Sequence, residues 1–177
     1  MEDVLYFWFS ELSPGQWWSV DEALDAQIEQ RFGKTLCQAA AGEFYSWRSN
    51  AEGRLAEIIV LDQFSRNIYR NTPRAFAQDG MALALAQEAV AQGCHQTLDP
   101  TRCSFMLMPY MHSESVAVHI CAEALFREHA PGDNYQFELR HKHIIDRFGR
   151  YPHRNVILGR ESTAAELEFL QQPGSSF

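Results

Sequence analysis

Five polar residues, Asp62, Gln63, Arg66, Asn67 and Arg70, follow directly on the apolar run Ile58 to Leu61. In a helix, positions 62, 66 and 70 stack at four-residue intervals and 63 and 67 lie next to them. One face then presents a carboxylate, two amides and two guanidiniums, while Phe64 and Ile68 point elsewhere. Two readings compete. The stripe is a solvated face or an Asp62–Arg66 ion pair that ties helices together, or it is an anion site, because Arg, Asn and Gln recognise planar oxygen ligands by geometry.

A second group, His112, Ser113 and Glu114, comes just after Pro109. Ser113 suits a helix N-cap and Glu114 suits a first turn, where the helix dipole favours a carboxylate. His112 has no such structural role. At a helix mouth beside a carboxylate it is a candidate general acid or base, or an anion ligand, although no nucleophile stands at a diagnostic spacing. His141 is the third candidate. It shares a helical face with Phe137, Ile144, Ile145 and Phe148 and so points inward, as a hydrogen-bonded core residue or a catalyst, whereas His143 faces outward with Leu139, Arg140 and Arg147. The ladder His119, Glu123, Arg127 is expected to be solvated and is not counted as a site.

The fourth group is a basic segment in an acidic chain: Arg147, Arg150, His153, Arg154, Asn155 and Arg160. Backbone N–H groups after Pro152, added to Arg154, would make an anion cradle. Alternatively the arginines pair with carboxylates such as Asp146 and Glu161. No metal site is expected. His141 and His143 diverge on a helix, there is no HExxH, and Cys37, Cys94, Cys103 and Cys121 lack thiolate-pair spacing. No glycine-rich phosphate loop is present and no cofactor is implied.

These residues must be positioned by helices, because no alternating run of β-branched residues bounded by hairpin turns occurs. Asp21 caps a helix carrying Leu24, Ile28 and Phe32, and Ser49 with Glu52 has capping-box spacing before Leu55. Thr72-Pro73 and Asp99-Pro100 each place an oxygen cap before a proline at the first helical position. Met81 to Gln92 is helical and ends at Gly93. Pro109 is expected to break the next helix, with a new one from near Ser113 to about His129 and another over roughly Asn134 to Phe148, stopped by Gly149. Pro152 can start a short helix, and Thr163 with Glu166 forms a further capping box. Short loops between such helices predict antiparallel pairs stacked into a bundle or a short solenoid, with no self-similar period visible.

The chain has 177 residues, 46% of them hydrophobic, which suffices for one domain, 1–177, around one core. A net charge of −8 argues against nucleic acid or an anionic membrane surface as partner. Apolar runs such as Val4 to Phe9 are too short to span a membrane, and no basic region precedes an apolar start, so a cytoplasmic location is expected. The cysteines are expected to be reduced and buried. Of the 15 basic residues, thirteen are arginine and only Lys34 and Lys142 are lysine, a bias that planar, bidentate pairing would explain.

Several long motifs, in order, resemble one family. They are Val4-Leu5-Tyr6-Phe7-Trp8-Phe9, Leu61-Asp62-Gln63-Phe64-Ser65-Arg66-Asn67, Arg74-Ala75-Phe76-Ala77-Gln78-Asp79, Pro109-Tyr110-Met111-His112-Ser113-Glu114, Arg147-Phe148-Gly149-Arg150-Tyr151-Pro152-His153-Arg154-Asn155, Leu158-Gly159-Arg160-Glu161-Ser162-Thr163 and the ending Pro173 to Phe177. Together they are similar to the bacterial domain of unknown function family 924. Ser65 stands where proline is expected, and Tyr110 and Tyr151 where phenylalanine is usual. The resemblance implies an all-α fold like the tetratricopeptide-like superfamily and carries no activity with it.

Two functions remain open from the residues. One is a pocket for a small anionic metabolite, lined by Asp62, Gln63, Arg66, Asn67, Arg70, Arg150, Arg154 and Asn155, with His112, Glu114 or His141 in acid–base roles. The other is a helical module that takes a peptide or protein on an aromatic groove involving Trp17, Trp18 and Tyr45. A structural alternative makes all four groups internal ion pairs. If the pocket exists, Arg66, His112 and Arg154 should share one cleft. The tail is expected to fold back, with Phe177 bringing its ring and terminal carboxylate to Arg150 and Arg154.

Overall fold

The computed structural model describes residues 1–130 and 132–176, and among these there is no β-strand. The chain opens with α1 (Glu2–Tyr6) and a π-helical turn, Phe7–Glu11, then runs through α2 (Glu22–Ala40) and α3 (Ala51–Ile59). A second π-helical turn, Val60–Phe64, leads into α4 (Ser65–Ile68), and α5 (Asp79–Ala91), α6 (Pro100–Met111), α7 (Val116–His129), α8 (Asp133–Phe148) and α9 (Ala164–Phe169) follow. The result is an all-α helical bundle. No helix of the described residues is long and apolar enough to cross a membrane.

The core forms where aromatic faces meet. Phe7 and Trp8 from the first π turn, Phe32 from α2, Phe64 from the second π turn and Phe105 from α6 are all buried. Ring centroids lie 5.1 Å apart for Phe7–Phe32, 4.9 Å for Phe32–Phe64 and 5.7 Å for Trp8–Phe105. Such tilted and edge contacts add to the burial of large rings. Segment 60–68 packs on α2, and α3 packs on α5 and α6. The loops joining α6, α7 and α8 are too short for anything but antiparallel neighbours, and these helices pack side by side. Gly53 at the start of α3 is needed because the Trp47 carbonyl occupies the place of a Cβ. Gly149, at φ 68°, ends α8 in the left-handed region and turns the chain toward Tyr151.

Asp21, Asp99 and the Thr163–Glu166 capping box terminate helices as their spacing predicts. Other expectations need correction. Asn50, not Ser49, caps α3, accepting from the Gly53 N–H at 2.8 Å. The Thr72 hydroxyl donates to the Tyr69 carbonyl, and Pro73 starts only a 3-10 turn, Pro73–Phe76. Pro109 does not break its helix: α6 continues to Met111 because every residue from Cys103 to Met111 is buried. That burial outweighs the roughly 3 kcal/mol cost of a proline in a helix. The next helix therefore starts at Val116, with Ser115 rather than Ser113 at its N-cap. Of the cysteines only Cys103 is buried, while Cys37 and Cys121 are exposed, since they fall on outward faces of α2 and α7. Phe137 is exposed as well, one turn before the point where that face of α8 becomes covered.

Candidate functional site

The second π turn decides where the polar stripe goes. A π turn spreads five residues over one hydrogen-bonded ring, so side chains after it rotate away from the ordinary helical register. Asp62 and Gln63 are consequently buried, Arg66 lies beside them, and Asn67 and Arg70 face α2. The stripe divides into two sites of different kinds. Asn67 Nδ2 and Arg70 Nε and Nη2 all donate to the Asp25 carboxylate at 2.6–2.8 Å, closing an ion pair between helices. The other half builds a cleft.

Asp62 accepts from His112 Nδ1 at 2.7 Å and from Gln63 Nε2 at 2.5 Å, and Arg66 Nη1 lies 3.0 Å away. Burial alone would raise the Asp62 carboxyl. The Arg66 charge, then His112 and the Gln63 amide, outweigh that and hold it well below the usual carboxylate range. An ionised carboxylate only accepts, which places the His112 proton on Nδ1 and leaves Nε2 as a lone pair in the neutral ring. Burial, followed by the Arg66 charge, keeps the His112 pKa below its ordinary value despite Asp62. His112 caps the C-terminal end of α6, and its ring opens onto the cleft.

Arg66 also reaches Asp79, the first residue of α5, with Nη2 donating at 3.0 Å. Arg154 Nη1 donates to the same Asp79 Oδ2 at 3.2 Å. The guanidinium of Arg154 lies between the rings of Phe76 and Tyr151, 4.6 Å from each centroid. Arg154 is only 5% exposed. Burial, then Arg66, lower its pKa, yet a guanidinium stays charged. Its Nε has no hydrogen-bond partner among the described residues.

The cleft between these groups has a volume of about 380 Å³ and is lined by Pro73, Phe76, Ala77, Asp79, Gly80, Leu83, His112, Ser113, Glu114, Arg154 and Leu158. Glu114 lies on its rim. It accepts from Arg160 Nη1 at 2.5 Å and Nη2 at 2.9 Å, and from the Tyr151 N–H at 2.8 Å. The expected backbone cradle is therefore partly occupied from within. The Arg154 and Asn155 N–H groups donate to the Tyr151 and Pro152 carbonyls, and Glu114 takes the Tyr151 N–H.

Below the cleft lies a buried polar layer. Tyr151 donates to the Met111 carbonyl at 2.5 Å, and burial pushes its phenol up. His119 is fully buried, contrary to the solvated ladder expected: the inner face of α7 packs on α8, where Glu138 meets Nδ1 at 2.8 Å, while Nε2 donates to the Ser113 carbonyl at 2.9 Å. Of that ladder Arg127 is exposed and Glu123 half-buried. His141 points inward as predicted, but Nδ1 donates to the Phe137 carbonyl at 2.8 Å and the ring does not line the cleft. Burial lowers its pKa to about 3, and burial together with Arg154 lowers that of His153 to about 4.

Of the residues singled out by sequence, His112, Glu114 and Arg154 line this cleft, whereas Asp62 and Arg66 do not line it and stand behind it, bonded to His112 and Asp79, with Gln63 on Asp62. Arg150 does not join them. It forms a bidentate pair with Glu166 at 2.6 and 2.8 Å that fastens the start of α9, beside a separate hollow lined by Arg147, Phe148 and Thr163. Asn155 bonds Ser162 and steadies Arg160. Asp146 pairs with Lys142, and Glu161 offers only its carbonyl, to Arg150. Asp79 was not a candidate in its own right, although two arginines converge on it. As an acid in the first turn of a helix it has an ordinary structural explanation, so no sequence signal separates it from other such residues. Phe177 lies outside the described residues. In the described part of the tail, Ser175 is buried and donates to the Leu170 carbonyl.

Residues 4–174 match the family model described as a bacterial protein of unknown function, DUF924. The chain belongs to that family. A solved structure of a protein of unknown function from Agrobacterium tumefaciens is 35% identical, covers 96% of each chain and superposes with a TM-score of 0.92. No match was found among curated proteins.

Proposed function

We propose that the cleft binds a small anionic metabolite, with Arg154 as the anion ligand and the Asp62–His112 pair as a proton-transfer group beside it. The observation that carries this is the state of Arg154. A side chain 6% exposed has five donors, yet the described residues take one hydrogen bond from it, at 3.2 Å. A buried donor without a partner costs about 1–3 kcal/mol, more for a charged group. An arginine kept so, on the wall of a cleft, has its donors held for something that enters. His112 fits the same reading, because a neutral ring oriented through Nδ1 by a carboxylate offers Nε2 as a general base.

The peptide-groove reading gains less support. Trp17 packs against Phe105 at 5.0 Å and uses its indole N–H on the Trp8 carbonyl, and Trp18 stacks on the same Phe105 at 5.9 Å. Trp18 and Tyr45 are exposed, but neither they nor Trp17 line the cleft at Arg154 or the hollow beside Arg150. Free thiols at Cys37, Cys94, Cys103 and Cys121 support a reducing, cytoplasmic setting.

A thermal-shift screen of anionic metabolites at pH 7 tests the proposal on wild-type protein and Arg154→Met. At least one anion should raise the wild-type melting temperature and leave that of Arg154→Met unchanged. Stabilisation of equal size in both proteins would contradict an Arg154 site.

A further inference from the structure

We infer that the ligand is a monocarboxylate with an apolar tail rather than a phosphate ester. This rests on the anion cleft proposed above and deepens it.

Charge sets the first constraint. Three carboxylates, Asp62, Asp79 and Glu114, face three guanidiniums, Arg66, Arg154 and Arg160, around a neutral His112. Arg66 is shared between Asp62 and Asp79, and Arg160 is bidentate on Glu114. Arg154 gives a single bond, from Nη1 to Asp79, and its buried Nε has no partner among the described residues, so this guanidinium keeps unused donors. One planar fork satisfies the two oxygens of a carboxylate. A phosphate monoester brings about two charges and three peripheral oxygens, and it would place them beside Asp79 and Glu114, both on the lining. Phosphate sites also draw on clustered backbone N–H groups. Here the Tyr151, Arg154 and Asn155 N–H groups are already taken by Glu114 and two carbonyls.

The walls set the second constraint. Away from Arg154 the cleft is lined by Pro73, Phe76, Ala77, Leu83 and Leu158, an apolar surface in about 380 Å³. A sugar or other polyol would meet few partners on it, whereas an alkyl or aryl chain would lose water-exposed area at no polar cost. Carboxylate at Arg154 and hydrocarbon along Phe76 and Leu83 is the arrangement these surfaces fit.

Calorimetric titration of the full chain with butanoate, hexanoate, hexyl phosphate and hexan-1-ol tests this. Hexanoate should bind about tenfold tighter than butanoate, since two buried methylenes give roughly that factor. It should also bind at least tenfold tighter than hexyl phosphate or hexan-1-ol. Arg154→Met should weaken hexanoate at least tenfold, and Leu83→Ala should shrink the hexanoate-to-butanoate ratio. If Arg154→Met does not fold, the wild-type selectivity and Leu83→Ala decide. Hexyl phosphate binding as tightly as hexanoate, and depending on Arg154, would overturn the carboxylate assignment and leave the anion cleft standing. No Arg154-dependent binding of any of these anions, or hexan-1-ol matching hexanoate, would overturn both.

Discussion

Arg150 and Arg154 stand four residues apart in one basic segment, and their surroundings differ in a way that residue type does not reveal. Arg150 gives Nε and Nη2 to the two oxygens of Glu166 and a further bond to the Glu161 carbonyl. Arg154 is the more deeply buried of the two and gives one bond, to an Asp79 already held by Arg66. The same contrast divides the stripe on segment 60–68, where Arg70 is locked to Asp25 while Arg66 braces the cleft. Donors already satisfied by the chain mark a structural arginine. Donors left over in a buried position are what the proposed anion site rests on.

The largest effect expected from disturbing this arrangement is at Asp62. Asp62→Ala removes the carboxylate shared by Arg66 and His112 and strands their polar groups, so urea unfolding should show a loss of about 3–5 kcal/mol. A loss under about 1 kcal/mol would mean that the cleft side of the stripe is no better anchored than a surface pair.

Acid is the next test. His141 and His153, at about 3 and about 4, stay neutral in the folded chain while the unfolded chain protonates them near 6.5. Below pH 6.5 the unfolded state therefore binds more protons, and stability falls as pH drops from 7 to 5, by about 2 kcal/mol for each histidine. Burial raises the pKa of Glu138, which works in the opposite direction and offsets part of the loss. His141→Gln should flatten the measured slope of stability against pH between 6 and 5 by about one proton. An unchanged slope would place the ring in contact with water.

The two arginines separate in a direct pair of melts. Arg150→Ala leaves nearly buried Glu166 without its cation, so its melting temperature should fall further than that of Arg154→Met. The second variant puts an apolar chain between Phe76 and Tyr151 while Asp79 keeps Arg66, so its stability should stay within about 1 kcal/mol of wild type. A reversed order would make Arg154 the structural residue. The smallest change is expected at exposed Arg127, where alanine should alter stability by less than about 0.5 kcal/mol. A larger loss would reveal a role for the outer face of α7.

Much of this architecture was legible in the residues. Caps at Asp21, Asp99 and Thr163, and the stop at Gly149, are local chemistry, so spacing alone located them. Segment 105–115 was misread because tertiary burial carried α6 through Pro109, an outcome that no local propensity encodes. The division of the stripe was hidden for a different reason: periodicity arguments assume 3.6 residues per turn, and the π turn at Val60–Phe64 changes the register where the polar residues begin. His119 was misjudged because an i, i+4 ladder names the face its residues share and not the neighbour that covers it. Asp79 and Asp25 show the limit most clearly, since each is an ordinary first-turn acid until the fold brings arginines to it.

The central claim, that the chain leaves Arg154 donors open for an anion, is tested most directly by the side-chain Nε–H resonances of 15N-labelled protein during a hexanoate titration at pH 7. The account predicts a saturable shift at Arg154 Nε while Arg150 Nε, fixed on Glu166, stays in place. An Arg154 resonance that does not move up to saturating hexanoate, or one that moves no more than that of Arg150, would contradict it.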